Sequence, residues 1–161
     1  MDDILIACKS REVVQELKEA LSRKFEMKDL GPARKILGMK IFRNRAKGLL
    51  HLSQGGYIKK ILERYGMKEA KSAVLPLAGH INFSNTMSPQ TEVKAQKMER
   101  VPYASGVESI MYSMICCRSD LAYAVSQVSR FMAQLGKEHR RALKGIFRYL
   151  VSSVGVGICY R

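Results

Sequence analysis

The sequence predicts an α+β protein, in which a small antiparallel sheet with helices is followed by a three-helix lobe. Three observations support this class. Two short runs rich in apolar residues flank a polar turn near residue 47, which is typical of a β-hairpin. In several other stretches apolar residues recur every three to four positions, as they do in amphipathic helices. Residues 67–102 follow neither pattern and contain scattered proline, glycine and asparagine, which indicates a connection.

The first part of the chain predicts a strand, a helix and a hairpin, in that order. The strand spans residues 3–8. Ser10 is expected to cap a helix that ends near Phe25. The apolar positions of this helix should form a buried stripe, comprising Val14, Leu17, Leu21 and Phe25. The hairpin is expected to consist of Ile36 to Arg43, a turn through residues 46–48, and Leu49 to Leu52.

Four further helices and a last strand complete the prediction. Ser53 can cap the first of these helices, whose apolar positions are Tyr57, Ile58, Ile61, Leu62 and Tyr65. The next helix uses Val107, Met111 and Met114. The one after it has Ser119 or Asp120 as its cap and uses Leu121, Val125, Val128 and Met132. The last helix uses His139, Leu143, Ile146 and Leu150. Val156 to Tyr160 is a strand-like end.

Composition narrows the possible functions. Hydrophobic residues make up 47% of the chain, which is typical of a folded globular protein rather than a disordered one. No apolar run approaches the ~20 residues of a membrane span, and no signal-peptide pattern opens the sequence. We therefore expect no membrane partner and an intracellular location, cytoplasmic or nuclear. The four cysteines lack C-x-x-C spacing, which favours reduced thiols over a zinc site.

The charge of the chain indicates a polyanionic partner. There are 28 Lys and Arg residues against 14 Asp and Glu, a net charge of +14. Residues 1–66 and residues 67–161 each carry an excess of +7, so the charge is not confined to a tail. A folded protein this basic is expected to bind nucleic acid, the commonest polyanion. A surface that is merely basic is the alternative.

One helix concentrates this charge on a single face. In the last predicted helix, basic residues follow a spacing of i, i+4, i+7 and i+11 and would face away from the apolar positions: Lys137, Arg141, Lys144 and Arg148. Such a stripe can follow a nucleic-acid backbone. A solvated helix face is the alternative, and the stripe alone does not decide between them. His139 is expected to be a packed or rim residue rather than a catalyst.

The start of the chain carries two adjacent carboxylates, Asp2 and Asp3, directly before an apolar run. Burying an unpaired carboxylate costs several kcal/mol, so such a pair is either solvated or bound to a cation. The pair alone favours a solvated terminus over a metal site. The order of the other motifs along the chain changes that balance.

Taken in order, these motifs resemble the C-terminal part of a copia-type retrotransposon reverse transcriptase. The resemblance covers essentially the whole chain. It rests on these blocks: Asp2-Asp3-Ile4-Leu5-Ile6, Phe25-Glu26-Met27-Lys28-Asp29-Leu30-Gly31, Ile36-Leu37-Gly38-Met39-Lys40-Ile41, Leu52-Ser53-Gln54, Val101-Pro102-Tyr103-Ala104, Asp120-Leu121-Ala122-Tyr123-Ala124-Val125, Ser129-Arg130-Phe131-Met132 and Arg148-Tyr149-Leu150.

The resemblance implies a role for each part of the chain. Asp2 and Asp3 would be catalytic carboxylates that hold Mg²⁺. Leu37, Gly38 and Met39 would lie in the hairpin that positions the primer end. Four parts are implied: the C-terminal part of the palm (1–66), an irregular connection (67–102), a helical thumb-like lobe that holds the template–primer duplex (103–152), and a strand leading toward an RNase H domain (153–161).

The resemblance also implies that the chain is a fragment. It begins inside the catalytic box, without the tyrosine that precedes the two acids in the family. The fingers, and the palm strand with the third catalytic aspartate, would lie upstream and would be a missing partner. We therefore expect a fragment of an RNA-directed DNA polymerase that is inactive by itself. The alternative is a basic nucleic-acid-binding remnant without catalysis.

Overall fold

The computed structural model describes residues 4–79, 83–84, 87–99, 101–133 and 135–161. It confirms a mixed helix and strand protein with a small antiparallel sheet. The helices are α1 (Arg11–Lys24), α2 (Gly55–Arg64), α3 (Glu92–Glu99), α4 (Tyr103–Cys116), α5 (Ala122–Ser129) and α6 (Lys137–Ser152), and a 3₁₀ turn (Ser119–Leu121) precedes α5. The strands are β1 (Lys35–Ile36), β2 (Met39–Asn44), β3 (Leu49–Ser53) and β4 (Gly157–Tyr160).

The four strands form one sheet in the order β1-β2-β3-β4, with every neighbouring pair antiparallel. The C-terminal strand therefore returns to the hairpin near the start of the chain, more than a hundred residues away in sequence. Gly157 permits this pairing, because a Cβ atom there would overlap the carbonyl oxygen of Leu52. The predicted strand at the end of the chain is confirmed, and the division into palm, connection and thumb stays a prediction.

The expected strand from Ile36 to Arg43 is divided by a tight turn. Ile36 pairs with Met39, which leaves Leu37 and Gly38 as a two-residue turn with φ values of 47° and 72°. Positive φ at both positions is typical of the type I′ turn that suits the twist of a hairpin. A leucine with positive φ is uncommon because its Cβ crowds the backbone. An apolar run such as Ile-Leu-Gly-Met also does not predict a turn.

The core lies between α2 and the C-terminal helices. Side chains that are fully buried there include Ile58, Val107, Ile110, Leu121, Ile146 and Leu150. All four predicted apolar positions of α6 are buried, as is Val125 of α5, so the helical periodicity is confirmed for these helices. The buried Tyr103 hydroxyl donates a hydrogen bond of 2.8 Å to the carbonyl of Val128, which links α4 to α5.

A buried guanidinium joins the start of α5 to the end of α6. Arg118 is fully buried and donates to both carboxylate oxygens of Asp120, at 2.9 and 2.8 Å. It also donates to the carbonyl and hydroxyl of Ser153, at 3.0 and 2.9 Å. Tyr149 donates to the same carboxylate at 2.8 Å. Burial opposes ionisation of Asp120, but the hydrogen bonds from Arg118 and Tyr149 outweigh it and lower the pKa of Asp120.

Several expectations for the first part of the chain are wrong. Residues 4–8 are not a strand, and residue 3 lies outside the described residues. The Ser10 cap is confirmed, since its hydroxyl accepts from the backbone N–H groups of Glu12 and Val13. The stripe on α1 exists but is not buried, with Phe25 61% exposed. Periodicity predicts which side of a helix is apolar, whereas burial depends on what covers it.

Three further corrections concern caps and the connection. Ser53 is the last residue of β3, and Gln54 precedes α2 without a side-chain cap. Neither Ser119 nor Asp120 caps α5, because the 3₁₀ turn leads directly into that helix and Asp120 bonds Arg118 instead. The segment expected to be irregular contains α3.

Within the described part of the chain, no helix combines the length and apolarity that crossing a bilayer requires.

Candidate nucleic-acid interface

The first turn of α6 is held in place by a buried histidine. His139 is fully buried and stacks on Phe131, with ring centroids 4.0 Å apart. Its Nδ1 accepts a hydrogen bond of 3.0 Å from the backbone N–H of Gly136, directly before the helix. Burial lowers the pKa of His139, with a smaller opposing effect from Glu138. The expectation that His139 is a packed residue is confirmed.

The opposite face of α6 carries the predicted cations. Lys137, Arg141, Lys144 and Arg148 are all exposed, as the spacing predicts. Arg140, which the i, i+4, i+7, i+11 spacing omits, is exposed beside them. Its position could have been found, because i+3 also lies on the same side of a helix. An open cavity of about 430 Å³ is lined by buried Met98 of α3 and by four of these cations, Lys137, Arg140, Arg141 and Lys144.

The cations on this face differ in how strongly their side chains are bound to other parts of the protein. Arg141 forms only a long contact with Glu138, with Nη1 and Oε2 3.9 Å apart. Arg148 is tied to the protein, because its Nε donates a hydrogen bond of 2.7 Å to the carbonyl of Lys71. Ala73 in turn donates its backbone N–H to the carbonyl of Arg148. Arg148 therefore anchors the segment after α2, and its availability for a ligand is lower than that of Lys137 and Lys144.

The predicted primer-positioning residues lie at the β1–β2 turn. The hydroxyl of Tyr112 on α4 donates a hydrogen bond of 2.7 Å to the carbonyl of Leu37. Burial and a hydrogen bond with Cys116 raise the pKa of Tyr112, so the hydroxyl keeps its proton. The Tyr112 ring also packs edge-on against Tyr57. The turn is thus fixed to the helical lobe, with Leu37 itself 65% exposed. The role of Leu37, Gly38 and Met39 toward a primer stays a prediction.

The predicted metal ligands are not tested by the structure. Asp2 and Asp3 lie outside the described residues. Among the residues that are described, no group of three or more His, Cys, Asp or Glu side chains could hold a metal ion. The magnesium assignment therefore stays a prediction for this chain. The four cysteines of the chain, all of them among the described residues, form no disulfide bond.

Comparison with known proteins relates the whole chain to transposon polyproteins. A family model for reverse transcriptase (RNA-dependent DNA polymerase) matches residues 1–79. The chain is 49% identical over 160 residues to the retrovirus-related Pol polyprotein from transposon TNT 1-94 of Nicotiana tabacum, covering 99% of this chain and 12% of that protein. The predicted resemblance to copia-type reverse transcriptases is confirmed.

Two further relatives, both from transposons, match nearly the whole chain. The chain is 34% identical over 158 residues to the retrovirus-related Pol polyprotein from transposon RE1 of Arabidopsis thaliana, covering 98% of this chain and 10% of that protein. It is 29% identical over 161 residues to a putative transposon Ty5-1 protein of Saccharomyces cerevisiae, covering 100% of this chain and 50% of that protein. The chain therefore spans between a tenth and a half of the length of these relatives. No solved structure matches it.

Proposed function

We propose that this chain is the part of a retrotransposon reverse transcriptase that holds the template–primer duplex and does not polymerise by itself. The observation that carries the proposal is the exposed row of cations on α6, within a chain of net charge +14. Its similarity to transposon Pol polyproteins supplies the nucleic-acid context. The interface residues we propose are Lys137, Arg140, Arg141 and Lys144, with Arg148 in a secondary role.

The geometry of α6 suits a charged backbone. Residues four apart on a helix are separated by about 6 Å along its axis, so the row offers a cation at each turn. Contacts of this kind position a duplex without reading its sequence. We propose that the turn at Leu37, Gly38 and Met39, fixed through Tyr112 to the helical lobe, contacts the primer end of the same duplex.

Catalysis is assigned to this chain together with a further part of the polymerase. Two-metal phosphoryl transfer uses Mg²⁺ to stabilise both the attacking and the leaving oxygen, and the ions are held by several carboxylates. We propose that Asp2 and Asp3 supply two of these carboxylates and that the upstream part of the polymerase, a partner of this chain, supplies the rest. Cytoplasmic or nuclear localisation follows as part of the same proposal.

The binding proposal is tested by salt dependence. Duplex affinity should fall linearly on a double-logarithmic plot against salt, since each phosphate contact contributes a slope of about 0.9. The double variant Lys137→Ala/Lys144→Ala should reduce that slope by about 2. The control is Lys59→Ala/Lys60→Ala, which removes the same charge from exposed positions of α2. Equal slopes for the two double variants, or a flat salt response of the unaltered chain, would contradict the proposal.

The catalytic part is tested by primer extension on an RNA template with Mg²⁺ and deoxynucleoside triphosphates. We expect no extension by the chain alone. If the unaltered chain alone extends the primer and Asp2→Asn/Asp3→Asn does not, the assignment of catalysis to a larger assembly is refuted. The duplex-binding proposal would not be affected by that result. Addition of the upstream polymerase segment should restore extension. If duplex binding is present and this addition has no effect, the chain is a binding remnant without catalysis.

A further inference from the structure

The open face of the sheet, which we define as Lys35, Lys40, Phe42, His51 and Cys159, joins cations to an exposed aromatic ring. Register places these side chains in two rows, because residues directly opposite each other in a sheet share a face. Lys35 lies opposite Lys40. Phe42 lies opposite His51, and His51 lies opposite Cys159.

Exposure differs between the two faces of the sheet. Lys35, Lys40 and Cys159 are exposed, and Phe42 is 53% exposed in the middle of β2. The neighbouring positions on the other face, Ile41, Leu52 and Ile158, are half-buried. A single exposed phenylalanine is ordinary on a protein surface. What distinguishes Phe42 is that the register places it opposite His51 and on the same face as Lys35 and Lys40.

The charge around this face is of one sign. Residues 30–62, all of which the structure describes, contain no aspartate or glutamate. The sheet residues and their neighbours at positions 34–47 supply six cations: Arg34, Lys35, Lys40, Arg43, Arg45 and Lys47. Within the described part of the chain, none of the six forms an ion pair. The face is therefore complementary to a polyanion, and its exposed aromatic ring suits a ligand with a flat apolar surface.

We propose that the open face binds unpaired nucleotides of a single-stranded nucleic acid, with a base stacked on Phe42 and phosphates at Lys35 and Lys40. Bases in a duplex are stacked on one another and cannot present a face to the ring, whereas unpaired bases can. Lys40 lies two residues, about 7 Å, before Phe42 on the same side of β2, so its flexible side chain reaches the phosphate of the stacked nucleotide. This interface is separate from the duplex-binding face on α6.

The test uses the full chain and a short single-stranded oligonucleotide that carries a fluorescent purine analogue. Phe42→Leu keeps an apolar side chain on the strand but removes the ring, and should weaken single-strand binding about 5- to 100-fold. Phe42→Tyr should retain binding and the change in analogue fluorescence on stacking. The control is Tyr123→Ala, which removes another exposed ring, 63% exposed on α5, and should leave affinity unchanged. Lys35→Ala/Lys40→Ala should lower the salt slope relative to Lys59→Ala/Lys60→Ala.

Three outcomes would overturn the proposal. In the first, Phe42→Leu and Tyr123→Ala bind the single strand equally well. In the second, Phe42→Leu weakens single-strand and duplex binding by the same factor, which would indicate altered folding rather than the loss of a stacked base. In the third, Phe42→Leu changes the sedimentation coefficient from dimer to monomer with unchanged oligonucleotide affinity, which would show that a second copy covers the face. Loss of duplex binding in the α6 variants with single-strand binding retained would leave this proposal standing.

Discussion

The buried pair formed by Arg118 and Asp120 offers a sharp test of how the start of α5 and the end of α6 are held together. Asp120→Asn keeps the shape of the side chain but removes its charge. One carboxylate oxygen that accepts from Arg118 is replaced by an amide N–H₂, so a donor faces a donor. Arg118 is fully buried and cannot lose its proton, so its charge stays without compensation.

The size of the effect follows from burial. Breaking a buried ion pair by removing one partner costs about 3–5 kcal/mol. The Asp120 side chain is 34% exposed, so water replaces part of what is lost and we expect about 2–3 kcal/mol. For a chain of this length, that corresponds to a decrease in Tm of about 4–12 °C. The matched control is Glu63→Gln, which breaks an exposed pair with Lys68 and should cost less than about 1 kcal/mol.

The measurement is thermal and urea unfolding of both variants, followed by circular dichroism. Acid unfolding adds an independent readout. The pKa of Asp120 is lowered in the folded chain from an ordinary value of 3.8, so the pair stabilises the fold above that pH and this contribution is lost as the pH falls below it. Asp120→Asn should remove this part of the acid dependence. Equal Tm values for the two variants would refute the argument that the buried guanidinium depends on Asp120.

Two further predictions concern the sheet and α6. Gly157→Ala should lower the free energy of unfolding by about 1–3 kcal/mol, because the added Cβ would overlap the carbonyl of Leu52. The control is Gly155→Ala, which should leave the free energy of unfolding unchanged because its Cβ would meet nothing within 4 Å. Equal urea midpoints for the two variants would contradict the β3–β4 pairing. Burial holds the pKa of His139 below its ordinary 6.5, so the free energy of unfolding should fall by at most about 1.4 kcal/mol for each pH unit below 6.5. His139→Phe should abolish this pH dependence, which is measured by urea titrations above and below pH 6.5. An unchanged slope in the variant would show that another group titrates.

Local patterns were enough for most of the helices. The stripe of α6, from His139 to Leu150, is buried as its spacing predicts, because periodicity reports the apolar side of a helix directly. The α6 cations could be placed for the same reason. Arg140 lies outside the predicted stripe because the i, i+4, i+7, i+11 spacing passes from Lys137 to Arg141 and omits the i+3 position.

Contacts between distant segments were not predictable in this way. No pattern within Val156 to Tyr160 says that this strand pairs with Leu50 to Ser53, and the row of Phe42, His51 and Cys159 exists only through that register. The burial of Arg118 likewise depends on Ser153, which the fold brings to it from the end of α6.

The amino-acid sequence by itself determined the family resemblance, the positions of most helices, the polyanion-complementary charge and the cationic side of α6, since all of these are properties of composition, order and short-range spacing. Tertiary structure alone decided that the last strand joins the sheet and that the α1 stripe is not buried. It also decided that Arg148 is hydrogen-bonded to Lys71 and which rings and cations share the open face. Those features depend on which distant surfaces meet, and the free energy of such contacts is distributed over residues far apart in the chain.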